Sequence, residues 1–167
     1  GIDVGDRIDP AAETGLGTSV GTFTIDESIN NDVGDTQTTA RQTGIQTDPN
    51  GGSFAFSGAI GNGPLGPQDI DLFQFEALAG QDLTAETFNP NGSSDLADTV
   101  LRLFDDTGAE LAFSNNVGTG GGDDDLSRID FQFVADGTYF IAVSGDPNVS
   151  FNSQDTNGTV DGDTGDY

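Results

Sequence analysis

The chain has 167 residues, 29 carboxylates and only four cationic side chains, for a formal net charge of -25. It contains no Cys, no His and no Lys, which excludes disulfides, thiolate metal sites, imidazole bases, the Ser-His-Asp triad and Schiff-base chemistry. The charge makes nucleic acid and anionic membranes poor partners, and no apolar run approaches the ~20 residues of a membrane-spanning helix.

The length fits one domain with a short appendage. No secretory leader is visible, so the chain reads as mature or cytosolic. The acids are 24 Asp and five Glu, set among 25 Gly and 12 Phe. Asp favours turns, caps and metal loops, whereas Glu favours helices. The composition is therefore all-β with long Asp/Gly-rich loops. An Asp excess of this kind suits Ca²⁺, which takes six to eight oxygen ligands. The alternative is an acidic, solvated surface.

Strands are expected wherever apolar residues alternate. In chain order these are Gly52 to Ile60, Ile70 to Ala77, Asp82 to Phe88, Thr99 to Phe104, Ala109 to Phe113, Ile129 to Phe133 and Gly137 to Ser144. Residues 36 to 43 are expected to hold at most a short helical turn. Asp105-Asp106-Thr107-Gly108 reads as a turn. Asp136-Gly137 reads as a hairpin joining the last two strands. The expected core is Phe54, Phe56, Phe73, Phe75, Leu101, Leu103, Phe131, Phe133, Tyr139 and Ile141. Seven or eight short strands separated by turns indicate an antiparallel β-sandwich.

Two polar stretches stand apart. Residues 114–127 hold Asp123, Asp124 and Asp125. Together with Asn115, Asn116 and Asp105 they form a second candidate Ca²⁺ site, resting on local density alone. Residues 146–166 read as a surface loop, with a faint EF-hand likeness at Asp155 to Asp161 that lacks the closing Glu. An internal repeat is also visible. Val4-Gly5-Asp6 recurs as Val33-Gly34-Asp35, and both copies open with Asp-Val-Gly-Asp. Residues 1–29 thus duplicate the opening of a domain that spans 30–167.

Several segments together resemble the bacterial pre-peptidase C-terminal domain. Asp32-Val33-Gly34-Asp35-Thr36 is similar to its opening motif. Asp69-Ile70-Asp71-Leu72-Phe73-Gln74-Phe75 followed by Ala79-Gly80 is similar to its D-x-D strand and turn. Val100 to Asp105, Asp136 to Ile141 and Gly165-Asp166-Tyr167 resemble its later strands. The resemblance implies a jelly-roll-like β-sandwich of secreted bacterial proteins, related to the collagen-binding domains of collagenases. It implies Ca²⁺ ligands at Asp32, Asp35, Asp69 and Asp71, with Asn30 as an upstream ligand. Gly34 stands where the motif has Asn, so one side-chain ligand is missing. The repeat extends the same expectation to Asp3 and Asp6, and Asp123 and Asp125 are candidates in the second site. The physics agrees: residues 69 and 71 point to one side of a strand, and clustered carboxylates call for a divalent cation.

No catalytic constellation is legible, so an enzyme is not expected. Two functions remain. One is a Ca²⁺-rigidified extracellular or cell-surface building block that polymerises head-to-tail with copies of itself. In that reading the segment Gly21 to Ile29 is donated to a neighbour whose sandwich lacks a strand after Tyr167. The other is a module that targets a secreted hydrolase to a polymer such as collagen or polysaccharide.

Overall fold

The computed structural model describes residues 32–46, 51–88, 97–116 and 126–167. The expectations for Asp3, Asp6, Asn30, Asp123, Asp125 and the segment Gly21 to Ile29 lie outside the described residues.

Among the described residues nine strands form, in the order β1 (Arg41–Gln42), β2 (Ala59–Ile60), β3 (Ile70–Ala77), β4 (Asp82–Glu86), β5 (Thr99–Asp105), β6 (Glu110–Asn115), β7 (Arg128–Gln132), β8 (Gly137–Gly145) and β9 (Gly165–Asp166). One five-stranded sheet has the order β1-β3-β8-β5-β6, and two two-stranded sheets pair β2 with β9 and β4 with β7. All pairs are antiparallel except β1 with β3, which is parallel. This is the expected all-β sandwich.

Alternation sorts the side chains of the large sheet onto two faces. Phe73 and Phe75 of β3, Leu101 and Leu103 of β5, and Tyr139 and Val143 of β8 turn to the main core. There they meet Ile129, Phe133 and Tyr167, with Phe54, Phe56, Leu83, Phe131 and Ile141 packed around them. Every residue of the expected core is in this cluster or against it.

The opposite face holds a second core that was not expected. Ile70 and Leu72 of β3, Phe104 of β5, and Phe140 and Ala142 of β8 pack with Phe151. Phe151 belongs to the tail segment read as a surface loop. That reading is corrected: Asn148, Phe151 and Ser153 are buried, so the segment covers the sheet. Arg102 fastens it. Its guanidinium lies 4.7 Å from the centre of the Phe104 ring and 4.4 Å from that of Phe151. It donates to the Phe151 carbonyl at 2.7 Å and pairs with Glu110 at 2.6 Å. Replacing Arg102 with Ala should destabilise the fold by about 2–3 kcal/mol, from the lost cation–π contacts and charge-assisted bonds. Urea denaturation would measure this; a loss under about 0.5 kcal/mol would mean the tail is held without it.

Three local expectations are corrected. The strand expected over Gly52 to Ile60 is reduced to Ala59–Ile60, although Phe54 and Phe56 still turn inward. Residues 36 to 43 give one turn, closed by Thr39 N–H to the Thr36 carbonyl at 3.0 Å, and then β1. Asp136-Gly137 does not close a hairpin: β7 pairs with β4, and β8 pairs with β3 and β5. The dipeptide instead carries the chain between layers. There the Asp136 carboxylate accepts the Ala79 N–H at 2.8 Å, which ties down the β3–β4 turn.

Candidate metal centre

The site forms where β3 begins. The chain reaches it through a short 3-10 turn, Gly66–Gln68, that ends at Asp69. Asp69 is fully buried, and its Oδ2 accepts the Gly61 N–H at 2.7 Å. Asp71 lies two residues on and is 1% exposed. Its Oδ2 accepts the Tyr167 hydroxyl at 2.6 Å. Asp32 completes the group: carboxylate oxygens of Asp32, Asp69 and Asp71 lie within 4.8 Å of one another.

Asp35 adjoins this trio. Its Oδ1 accepts the Ile70 N–H at 3.2 Å. The opening motif thus lies beside the D-x-D strand, with the Gly34 carbonyl accepting the Leu72 N–H at 3.3 Å. Gly34 itself has a packing reason. A Cβ there would overlap Thr39, so the Asn of the family motif does not fit this turn. Gly63 is constrained in the same way, because a Cβ would overlap the Asp32 carboxylate.

The electrostatics are unfavourable without a counter-charge. Ionised pairs at this separation repel by about 3–4 kcal/mol each at an effective dielectric near 20. Burial, then the Asp69 charge, raises the Asp32 pKa. Burial, followed by the charges of Asp32 and Asp69, raises Asp35 to about 6, although the Ile70 N–H works the other way. Burial pushes Asp71 well above the carboxylate range, against the lowering effect of the Tyr167 bond. Among the described residues the ion pairs involve Arg102 and Arg128, and none reaches this cluster. Among the described residues, two buried oxygens, Asp32 Oδ1 and Asp71 Oδ1, have no hydrogen-bond partner. A hard cation that takes oxygen ligands fits this donor set.

Of the four expected ligands of the described chain, Asp32, Asp69 and Asp71 therefore come together, and Asp35 lies beside them. Of the second expected site, Asp123, Asp124 and Asp125 lie outside the described residues, and the described Asp105 and Asn115 lie at opposite ends of one hairpin. Asp105 sits at the turn of the β5–β6 hairpin, where its Oδ1 accepts from Thr107 and Ala109. Asn115 lies at the far end of that hairpin, opposite Val100. Asp105 is used to close its own turn. In the EF-hand-like run, Asp155 likewise accepts from Asn157, and Asp161 accepts from Gln68. The sequence reading missed Gly61, Gly63 and Tyr167 as parts of the site. Gly61-Asn62-Gly63 carries the only local hint, as two glycines just ahead of the D-x-D strand.

A "probable subtilase-type serine protease" of Deinococcus radiodurans is 36% identical over 78 residues, covering 47% of this chain and 10% of the relative. The chain thus spans about a tenth of the protein it matches. No solved structure matches it. The family described as the bacterial pre-peptidase C-terminal domain matches residues 69–145, from the first Asp of the D-x-D strand to the end of β8, and this stretch is similar to that domain.

Proposed function

We propose that this chain is a non-catalytic, Ca²⁺-stabilised extracellular module that accompanies a secreted hydrolase. The observation that carries the reading is the convergence of Asp32, Asp69 and Asp71, with two buried oxygens unpartnered. Together with Asp35 they would hold the ion, which would supply the missing positive charge. The role is structural: the ion ties the opening segment to the start of β3. The protease relative supports the hydrolase context, and the lack of His, Cys and Lys supports a non-catalytic role.

Calcium titration by calorimetry tests the reading. The expected Kd lies at about 10⁻⁷–10⁻³ M, the range of sensor and extracellular sites. Asp71→Ala should abolish binding. An absence of binding heat and of any thermal shift at 10 mM Ca²⁺, roughly tenfold above the Kd of the weakest such sites, would refute it. Co-sedimentation with collagen and insoluble polysaccharides then tests the targeting role. Polymers that form in calcium and vanish on deleting residues 1–29 would favour the self-assembling reading instead, whose donor strand lies outside the described residues.

A further inference from the structure

The metal centre meets the β2–β9 layer at the Gly61 N–H, which follows β2, and at the Tyr167 hydroxyl. Asp71 belongs to β3 in the large sheet, whereas Tyr167 directly follows β9, which pairs with β2. Tyr167 is 4% exposed and is held from several sides. Its N–H donates to the Gly58 carbonyl at 3.0 Å, and its carbonyl accepts the Gly58 N–H at 3.3 Å. Its ring lies 6.4 Å from that of Phe56. Gly58 is what lets the ring pass: a Cβ there would come within 2.7 Å of the Tyr167 hydroxyl. The phenol thus reaches the cluster by a built route, and it meets Asp71 at 2.6 Å.

We infer that Tyr167 is the positioning residue of the metal centre, and that the ion, by fixing Asp71, locks the Gly58–Tyr167 pairing of the second layer. The inference rests on the calcium reading above. A carboxylate that ligates a cation must present one oxygen in a fixed direction, and an outer hydrogen bond to its other oxygen supplies that constraint. Here Asp71 Oδ2 is satisfied by the phenol, which leaves Oδ1, buried and without a hydrogen-bond partner among the described residues, for the ion. The same bond runs in reverse. Whatever fixes Asp71 also fixes the hydroxyl, and through it the backbone pair at Gly58.

The chain suits a direct test, because it has no Trp and only two Tyr. Tyr139 sits opposite Phe75 in the β3–β8 ladder, four positions along β3 from Asp71. Terbium(III) replaces Ca²⁺ at oxygen sites and emits when an excited tyrosine lies beside it. Tyr139→Phe should keep most of the sensitised emission, and Tyr167→Phe should lose it. Calcium affinity by calorimetry should fall about tenfold or more in Tyr167→Phe, as for other outer-sphere partners of metal ligands. Gly58→Ala, which displaces the hydroxyl without removing it, should weaken calcium as well. Hydrogen exchange at the Gly58 amide should slow on adding Ca²⁺ to the parent chain and not to Tyr167→Phe. If the parent chain binds no calcium, the reading of the site fails, and this inference with it. If the parent binds and Tyr167→Phe binds within twofold, with the same calcium effect on Gly58 exchange, the site stands and the inference alone is overturned.

Discussion

Replacing Phe73 with Ala should lower the stability of the domain by about 3–5 kcal/mol, near the top of the range for a single core truncation. Phe73 is 4% exposed in the middle of β3. Its ring lies 5.7 Å from Phe54 and 5.3 Å from Phe56. Those two residues sit in a segment without a strand partner of its own, so Phe73 is the floor on which they rest. Removing the ring opens a cavity and also frees its cover. Phe113 makes the contrast, being 48% exposed on β6. Phe113→Ala should cost no more than about 0.5 kcal/mol, as surface changes usually do. Urea denaturation of both variants checks the pair. Equal losses would mean that Phe73 is not seated between the layers.

The main core was legible because its residues alternate with polar ones along each strand, and period-two alternation is what a half-buried sheet writes into a sequence. The second core was not. β3, β5 and β8 are covered on both sides, so Ile70, Leu72, Phe104, Phe140 and Ala142 on the other face are apolar too, as in a doubly covered sheet. Their cover is a segment whose one large buried apolar side chain is Phe151, too little to show a period. The pairing of β7 was hidden for another reason. Asp-Gly is a hairpin signal only when the strands on either side bond to each other. Here Phe131 and Phe133 belong to one layer and Tyr139 to the other. At the candidate site, the resemblance to the family motif pointed to the four carboxylates. Tyr167 was visible as part of a family motif, but its hydroxyl bond to Asp71 joins residues 96 positions apart. No local pattern encodes that contact.

The metal-free protein should lose stability as the pH rises from about 4 to 7.5, and calcium should reverse the trend. The sign follows from the carboxylates. An unperturbed Asp titrates near 3.9, whereas Asp35 stands at about 6 and Asp71 well above the usual range. Burial is the first cause in both. Between the unfolded and folded pKa values the native state therefore holds more protons than the unfolded chain. Stability falls with pH wherever that is so. The contribution is fully present below the unfolded pKa and is lost as the pH passes through the folded one, about 6 for Asp35. A bound cation replaces those protons, so calcium should bind more tightly at pH 7.5 than at pH 5. At a hundred times its Kd it should stabilise the fold by about 2.7 kcal/mol, which is about 5–10 °C for a domain of this size. The net charge of -25 weakens the native state in the same direction. Asp71→Asn separates the two effects: it removes one buried charge and leaves the other 28 carboxylates. The metal-free variant should show a shallower fall with pH than the parent, and a smaller calcium shift at pH 7.5. Calorimetric scans at pH 5 and 7.5, in calcium and in chelator, give all four comparisons. A parent chain whose melting temperature rises from pH 5 to 7.5 in chelator would show that these carboxylates are ionised in the fold at no cost, and the case for a cation among them would fall.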